Sequence, residues 1–241
     1  MNLAWPTIFL LISTMIFFGL ERVFPGRKLP AAKGWYKRAI LVNAIQLFIS
    51  FALNKWWIKW LGGYSIFNLS QKSFFVQGLL AWLVGTFFFY WWHRLRHTAG
   101  FWLIFHQVHH SPSRIELLTS FYKHPIEILV NSFFCAVILY VGLGAALPAA
   151  FWYNFFAGTG EYFYHSNLKT PTWLRYFIQT PELHSIHHES KVHKYNYADL
   201  PIWDRLFGTY KDTLQFRSQC GFGENREQKL VQMFLFKDVE K

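Results

Sequence analysis

The chain has 241 residues, of which 53% are apolar, 21% are aromatic and only 15% are charged. Soluble domains carry about 25% charged residues, so this composition excludes an ordinary water-soluble protein. A formal net charge of +11 would suit a nucleic-acid-binding protein. The first basic residues of the chain, however, lie between two apolar runs, which favours contact with a membrane surface.

The first apolar run, Asn2 to Leu20, is free of charge and has the length of about 20 residues that a membrane span needs. No basic residue precedes it and no clear small-residue cleavage site follows, so we expect a retained anchor rather than a signal peptide. Six cations occupy the loop from Glu21 to Arg38, and the positive-inside rule places this loop in the cytoplasm. They are Arg22, Arg27, Lys28, Lys33, Lys37 and Arg38.

Two further runs predict spans. Ala39 to Asn54 is short, but Trp56, Trp57, Ile58 and Trp60 extend it while Lys55 and Lys59 reach the headgroups. Ser73 to Trp92 is the third span and ends on the cytoplasmic side. Its aromatic stretch from Phe87 to Trp92 is interpreted as lipid-facing or interfacial surface, not as a substrate contact.

The fourth run, Ile128 to Gly160, has 33 residues, too many for one ordinary crossing. Gly142, Gly144 and Pro148 interrupt it near the middle and predict a helical hairpin. Each arm is marginal for a full crossing, so we expect the hairpin to enter part-way and to return to the cytoplasmic side near Glu161.

These elements predict an all-α fold, an integral membrane helical bundle of three spans plus a helical hairpin, with a cytoplasmic helical cap. No linker or repeat divides the chain, so residues 1–241 are interpreted as one multi-pass domain. Its parts are transmembrane helices (1–92), a cap (93–127 and 161–211), a membrane hairpin (128–160) and a C-terminal tail (212–241).

All 11 histidines lie between His93 and His193, and most form three groups with helical spacing, HRLRH, HQVHH and HSIHH. Residues three or four apart share a helical face, so each group can aim two or three imidazoles at one point. One tetrahedral zinc takes about four ligands, so eight imidazoles imply two metals. The spacing alone leaves iron, zinc, copper and nickel open. A pH-sensing cluster is the non-metal alternative, although the repeated register gives no reason for it.

The other histidines are weaker candidates. His165 in FYHSN is expected to complete a metal shell, and Glu161, four residues earlier, to orient an imidazole rather than to bridge metals. His124 precedes Pro125, which disfavours helical pairing, so a ligand role and a structural role both stay open. His193 is interpreted as a solvated loop residue. Cys135 and Cys220 form neither a disulfide framework nor a CxxC site.

The order HRLRH, HQVHH, FYHSN and HSIHH, followed by NYADLPIWDRLFGTY, resembles the fatty acid hydroxylase superfamily, which includes sterol desaturases and C4-methylsterol oxidases. The resemblance covers roughly Phe74 to Lys211 and includes WDRLFGTY from Trp203 to Tyr210 as a second signal. Asn196 and Asp204 match family positions outside the metal ligands and are expected at most to support them, not to be catalytic. The resemblance implies nine histidines as candidate metal ligands. The nine are His93, His97, His106, His109, His110, His165, His184, His187 and His188.

The resemblance also implies two iron ions, with zinc possible in the isolated protein, and O2 as co-substrate. The reaction it implies is hydroxylation or desaturation of an unactivated C–H bond in a bilayer lipid. The sequence has no HPGG-type haem segment and no GxGxxG turn, so we expect electrons from a separate donor, a ferredoxin or a cytochrome b5-like protein with its reductase. A zinc-dependent membrane hydrolase or isomerase and a metal-stabilised scaffold are the alternatives.

Overall fold

The apolar runs of the sequence form long helices in the computed structural model, which describes residues 4–223 and 225–240. Helix α1 covers Ala4–Val23, α2 covers Trp35–Leu61 and α3 covers Phe74–Arg96. The side chain of Ser73 caps α3 by accepting a hydrogen bond from the backbone N–H of Val76 at 3.3 Å. Such a cap satisfies one of the free N–H groups at a helix start.

A helical hairpin follows, with its turn at the predicted position. Helix α6, Pro125–Ala136, continues as a π-helix over Val137–Gly142, and α7 covers Leu147–His165. Gly144 in the turn has a φ of 59°, and a Cβ atom there would lie 2.6 Å from the carbonyl oxygen of Phe67. Only glycine fits both the left-handed backbone and this close approach.

Three helices of the described chain are long and apolar enough to cross a membrane: Trp5–Val23, Phe74–Arg96 and Pro125–Gly142. Little of their surface is buried inside the protein, and large apolar side chains such as Leu11, Met15 and Phe88 are exposed. Exposed apolar surface on this scale indicates a membrane environment. Helix α2, the predicted second span, is long enough but is not among these three.

Close contacts between small residues hold the bundle together. Helix α7 packs against both α1 and α3, while α2 packs against α6. Ala81 of α3 is buried with Ala149 and Ala150 of α7, and a Cβ atom on Gly78 would lie 2.7 Å from the carbonyl oxygen of Ala149. Small residues let membrane helices approach closely. Close approach matters because lipid provides no hydrophobic driving force between helices, so van der Waals packing has to hold them together.

Short helices and loops build the cap beside the bundle, and the described residues contain isolated β-bridges but no strand. The fold is therefore all-α, as predicted. The α-helices are α4 (Ala99–Phe101), α5 (Gln107–His110), α8 (Pro181–His187), α9 (Pro201–Leu206) and α10 (Leu230–Phe234). A π-helix covers Trp102–His106, and 3-10 helices cover Leu117–Thr119, Thr172–Tyr176 and Arg226–Gln228.

The C-terminal segment, residues 225–240, packs onto the cap. Its side chains Leu230, Met233 and Val239 are buried in one cluster with Trp35 of α2 and Val108 of α5. The side-chain amide of Gln107 donates to the carbonyl oxygen of Lys237 at 3.1 Å. The segment thus lies directly against the helix that carries the HQVHH histidines.

Candidate metal centre

The histidines that the sequence singled out come together in two groups, with the candidate ligand atoms of each group within 4.8 Å of one another. The first histidine group is His93, His97, His106, His110 and His187. The second histidine group is His109, His165, His184 and His188. These nine are the residues that the family resemblance implies as ligands; that they bind metal stays a prediction.

Helical register explains how each HxxHH motif serves both groups. His106 and His110, four residues apart, face the first group, while His109 between them faces the second. His184 and His188 face the second group in the same way, while His187 faces the first. At about 3.6 residues per turn, the fifth position of a motif is rotated about 40° from the first and the fourth about 60° in the opposite direction. The fourth imidazole therefore points towards the other histidine group. The two groups are in contact, because the rings of His110 and His188 stack at 4.3 Å.

The spacing of the nitrogen atoms fits a shared cation. In the second group Nε2 of His165 lies 3.1 Å from that of His109 and 3.0 Å from that of His184, which lies 3.2 Å from that of His188. One imidazole nitrogen has a single proton or a single lone pair, so it cannot satisfy two such neighbours. Nitrogens about 2.0–2.1 Å from one metal would lie about 3.0–3.4 Å apart, which matches.

The first group has the same character. Nε2 of His106 lies 2.9 Å from that of His93, and Nε2 of His97 lies 3.2 Å from that of His187. Nε2 of His110 is buried and has no hydrogen-bond partner among the described residues. Buried polar atoms are ordinarily paired, so an unpaired nitrogen facing four other imidazoles fits a metal ligand. The donor set suits iron and zinc alike.

Acceptors behind the imidazoles fix how they point. A carbonyl or carboxylate oxygen can only accept, so the nitrogen facing it carries the proton and the opposite Nε2 keeps its lone pair for metal. Four Nδ1 atoms have such partners. These are Tyr197 O for His93 at 2.7 Å, Tyr195 O for His187 at 2.8 Å, Glu161 O for His165 at 2.9 Å and Glu127 Oε1 for His106 at 3.2 Å.

Sequence reasoning missed Glu127. Its carboxylate is fully buried at the start of α6, where it pairs with the guanidinium of Arg96 as well as with the ring of His106. A buried carboxylate needs such partners, because desolvation of an unpaired charge is costly. The segment YKHPIE places Glu127 in the first turn of a helix near the histidine motifs, but only the fold shows that its carboxylate faces His106.

His193 contacts the first histidine group without belonging to it, and its interpretation as a solvated loop residue is wrong. Nδ1 of its ring lies 3.1 Å from Nδ1 of His110, and its Nε2 lies 2.7 Å from Oε1 of Glu240. The His193 side chain is only 10% exposed, because Trp102 and Phe222 pack against it. No helical spacing links His193 to another histidine, so the sequence offered no signal for this contact.

Asn196 and Asp204 lie behind the centre and hold backbone segments. The buried side chain of Asn196 donates to the carbonyl oxygens of Leu183 and Lys211 and accepts from the N–H of Lys211. The carboxylate of Asp204 accepts from the N–H groups of Tyr197 and Ala198 at 2.8 and 2.9 Å. Asp204 thereby fixes the segment whose Tyr197 carbonyl accepts from His93.

The two remaining candidates, His124 and Glu161, lie at different distances from the histidine groups. His124 belongs to neither group, and its Nδ1 caps the start of α6 by accepting a hydrogen bond from the N–H of Ile126. Glu161 pairs with Lys123 at 2.8 Å, and its second carboxylate oxygen lies 3.5 Å from Nδ1 of His165. It lies beside the second group rather than between the two groups.

Burial keeps the cap histidines neutral. Desolvation lowers the pKa of His97, His106, His109, His110, His184 and His188 well below the usual 6.5, and neighbouring imidazoles add to the effect. The same burial lowers the pKa of His187 to about 3. Metals bind the neutral form of imidazole, so these side chains are ready to bind at neutral pH.

A helical bundle with an apolar exterior and two adjacent groups of buried imidazoles defines a membrane-associated protein with a candidate two-metal centre. The sequence model of fatty acid hydroxylases matches residues 78–209, more than half of the chain. The chain belongs to the fatty acid hydroxylase family.

Curated relatives carry names from lipid oxidation. The chain is 32% identical to an ornithine lipid hydroxylase of Rhizobium tropici over 56% of this chain and 41% of that protein. It is 28% identical to human alkylglycerol monooxygenase over 61% of this chain and 33% of that protein. It is 40% identical to methylsterol monooxygenase 2-1 of Arabidopsis thaliana over 31% of this chain and 28% of that protein. The chain thus spans less than half the length of these relatives, and no solved structure matches it.

Proposed function

We propose that the chain is a membrane-bound di-iron oxygenase that hydroxylates or desaturates an unactivated C–H bond of a bilayer lipid. The observation that carries this proposal is the meeting of nine imidazoles in two touching groups, in a chain of the fatty acid hydroxylase family. Relatives named as lipid hydroxylases and monooxygenases support the same reaction class.

The chain's own residues prepare the centre. The Nε2 atoms of the two groups would hold the metals, and backbone carbonyls of Tyr195 and Tyr197 hold His187 and His93 in the binding tautomer. When bound, a pair of irons supplies the redox chemistry that activates O2. Trp102 packs on His97 and His110 and helps to exclude water from the first group.

The reaction balances only with an outside source of electrons. Hydroxylation turns a C–H bond, O2, two electrons and two protons into an alcohol and water, and desaturation gives an alkene and two waters. We propose that a ferredoxin or a cytochrome b5-like protein with its reductase supplies the electrons. The lipid reaches the centre from the bilayer, which avoids the cost of about 0.8 kcal/mol per CH2 of moving an acyl chain through water.

The topology is also a proposal. Cations in the loop after α1 favour a multi-pass protein with this loop, the cap and the centre on the cytoplasmic side. In this proposal residues 1–241 form one domain, and the C-terminal segment belongs to the cap. The exposed apolar surfaces of α1 and α3 support burial of both helices in lipid.

Metal analysis joined to product analysis tests the function. We expect two irons per chain in anaerobically purified protein, and O2-dependent gain of one oxygen or loss of two hydrogens in lipids of cells that express the gene. His187→Ala and His188→Ala should abolish oxidation. His124→Ala is the matched control, because His124 lies outside both groups. Stoichiometric zinc with O2-independent turnover would instead establish the hydrolase or isomerase.

A further inference from the structure

A cavity of about 450 Å³ lies at the end of α1, outside both histidine groups. Its wall combines the last turn of α1, the loop to α2 and the segment after the HQVHH helix. Charged side chains dominate this wall, with four cations against two carboxylates. They are Arg22, Arg27, Lys28 and Arg114 against Glu21 and Glu116.

Glu116 is committed to holding the cavity wall. Its carboxylate is buried and accepts from Trp35 Nε1 at 2.7 Å, from Arg114 Nε at 2.8 Å and from Arg22 Nη2 at 2.9 Å. These bonds fix both guanidinium groups at the cavity. A fixed guanidinium loses little side-chain entropy when it binds an oxyanion.

The carboxylate of Glu21 is also fully used by hydrogen bonds, so no carboxylate of the cavity wall pairs with Arg27 or Lys28. One oxygen of Glu21 accepts from the N–H groups of Leu117 and Asn167 at 3.0 Å each, and the other pairs with the neighbouring arginine. Nε of Arg27 is buried without a hydrogen-bond partner among the described residues. The exposed ammonium of Lys28 has no carboxylate of the described chain within ion-pair distance. Nη1 of Arg27 donates to the carbonyl oxygen of Arg217, so the ammonium of Lys28 is the main donor that the cavity keeps available. The cavity as a whole has a net positive charge.

Exposed apolar side chains neighbour the lining residues of the cavity along the chain. Val23 and Phe24 lie in sequence between the lining residues Arg22 and Pro25, and their side chains are 67% and 65% exposed. Ile40, one turn after the lining residue Tyr36, is 61% exposed. A cationic cavity beside exposed apolar side chains matches an amphiphile, whose charged head binds inside while its tails lie along the helices.

We propose that this cavity binds the phosphate of an anionic glycerophospholipid, whose acyl chains lie along the exposed faces of α1 and α2. Guanidinium and ammonium groups recognise phosphate through charge-assisted hydrogen bonds, and basic pockets between membrane helices bind phosphorylated headgroups. A bound phosphate would link the end of α1 to Asn167, two residues after His165. Occupancy therefore stabilises the region beside the second histidine group.

Native mass spectrometry of the full chain in detergent tests the site, with phosphatidylglycerol, phosphatidylcholine, diacylglycerol and inorganic phosphate as separate probes. We expect one tightly retained phosphatidylglycerol and no retained diacylglycerol. Lys28→Gln should weaken phosphatidylglycerol binding about fivefold, which corresponds to about 1 kcal/mol, whereas Lys28→Arg should retain binding. Lys59→Gln is the matched control, because it removes the same charge from an exposed side chain near the other end of α2.

Three results would overturn the proposal. Failure to retain phosphatidylglycerol would remove the site, and equal weakening by Lys59→Gln would reduce it to general surface attraction. If inorganic phosphate displaces all of the lipid and raises the unfolding temperature as much as phosphatidylglycerol does, the cavity binds a free anion instead. Arg27→Gln adds a second variant, and the exposed Lys28 keeps the test decisive if Arg27→Gln does not fold.

Discussion

Nδ1 of His193 lies 3.1 Å from Nδ1 of His110. If His110 binds metal through its buried Nε2, its Nδ1 carries a proton and donates to His193. His193 then carries its own proton on Nε2 and donates to Glu240 at 2.7 Å. The tautomers of the two histidines agree with the carboxylate of Glu240 as the final acceptor, so the C-terminal segment orients an imidazole of the first histidine group through two hydrogen bonds.

Breaking this chain of hydrogen bonds should loosen metal binding. We expect His193→Phe to weaken binding of one of the two metals about 10- to 100-fold, the usual cost of losing an orienting partner. Glu240→Gln should cost less, because its amide oxygen still accepts. Metal retained against graded chelator measures both effects. Asp212→Asn, at an exposed carboxylate outside the centre, should change nothing; equal metal retention in His193→Phe would contradict the role of His193.

The depressed pKa values of the cap histidines predict that the metal-free protein loses stability in acid. Between about pH 6.5 and the lower pKa of each folded-state histidine, the unfolded chain binds more protons than the folded chain. The free energy of unfolding should therefore fall as the pH drops below about 6.5, by up to about 1.4 kcal/mol per pH unit for each such histidine. Burial lowers the pKa of His187 to about 3, so its contribution persists over several pH units.

Unfolding temperatures of the metal-free protein between pH 8 and pH 5 measure this dependence. A double variant, His184→Ala with His188→Ala, should show a shallower slope because two of the buried imidazoles are gone. Stability that stays constant or rises towards pH 5 would mean that these side chains are not buried in the neutral form.

Gly221 and Gly223 form a matched pair for the link between the C-terminal region and the centre. Gly221 has a φ of 72°, and a Cβ atom there would lie 2.2 Å from the carbonyl oxygen of Pro112. Its N–H donates to the carbonyl oxygen of His188 at 3.1 Å. A Cβ atom on Gly223 would meet nothing within 4 Å.

Gly221→Ala should therefore destabilise the fold by more than the roughly 1–3 kcal/mol that a strained backbone costs alone. It should also reduce metal retention, because the clash displaces the backbone next to His110 and next to His188. Gly223→Ala should leave both quantities nearly unchanged. Thermal unfolding and metal content of the two variants check this expectation, and indistinguishable variants would contradict it.

The sequence predicted the features that depend on local periodicity. Apolar run length predicted the helices, Gly142 and Gly144 predicted the hairpin turn, and helical spacing brought His106 and His110 to one face. Contacts between distant segments carry no periodic signal, which is why His193 was misassigned. The same limit applies to Glu127 and Glu240, since carboxylates are common and only the fold shows which of them face an imidazole.

Asp204 tests whether the polar network behind the histidines matters for metal binding. Its fully buried carboxylate accepts from the N–H groups of Tyr197 and Ala198 and from the hydroxyl of Thr209 at 2.7 Å. Asp204→Asn replaces one acceptor oxygen by an N–H donor, which leaves a buried donor unpaired at a cost of about 1–3 kcal/mol. Because the Tyr197 carbonyl accepts from His93, the variant should lose metal from the first histidine group before the second. Asp212→Asn should retain both metals, and equal loss from the two groups in Asp204→Asn would show general unfolding instead.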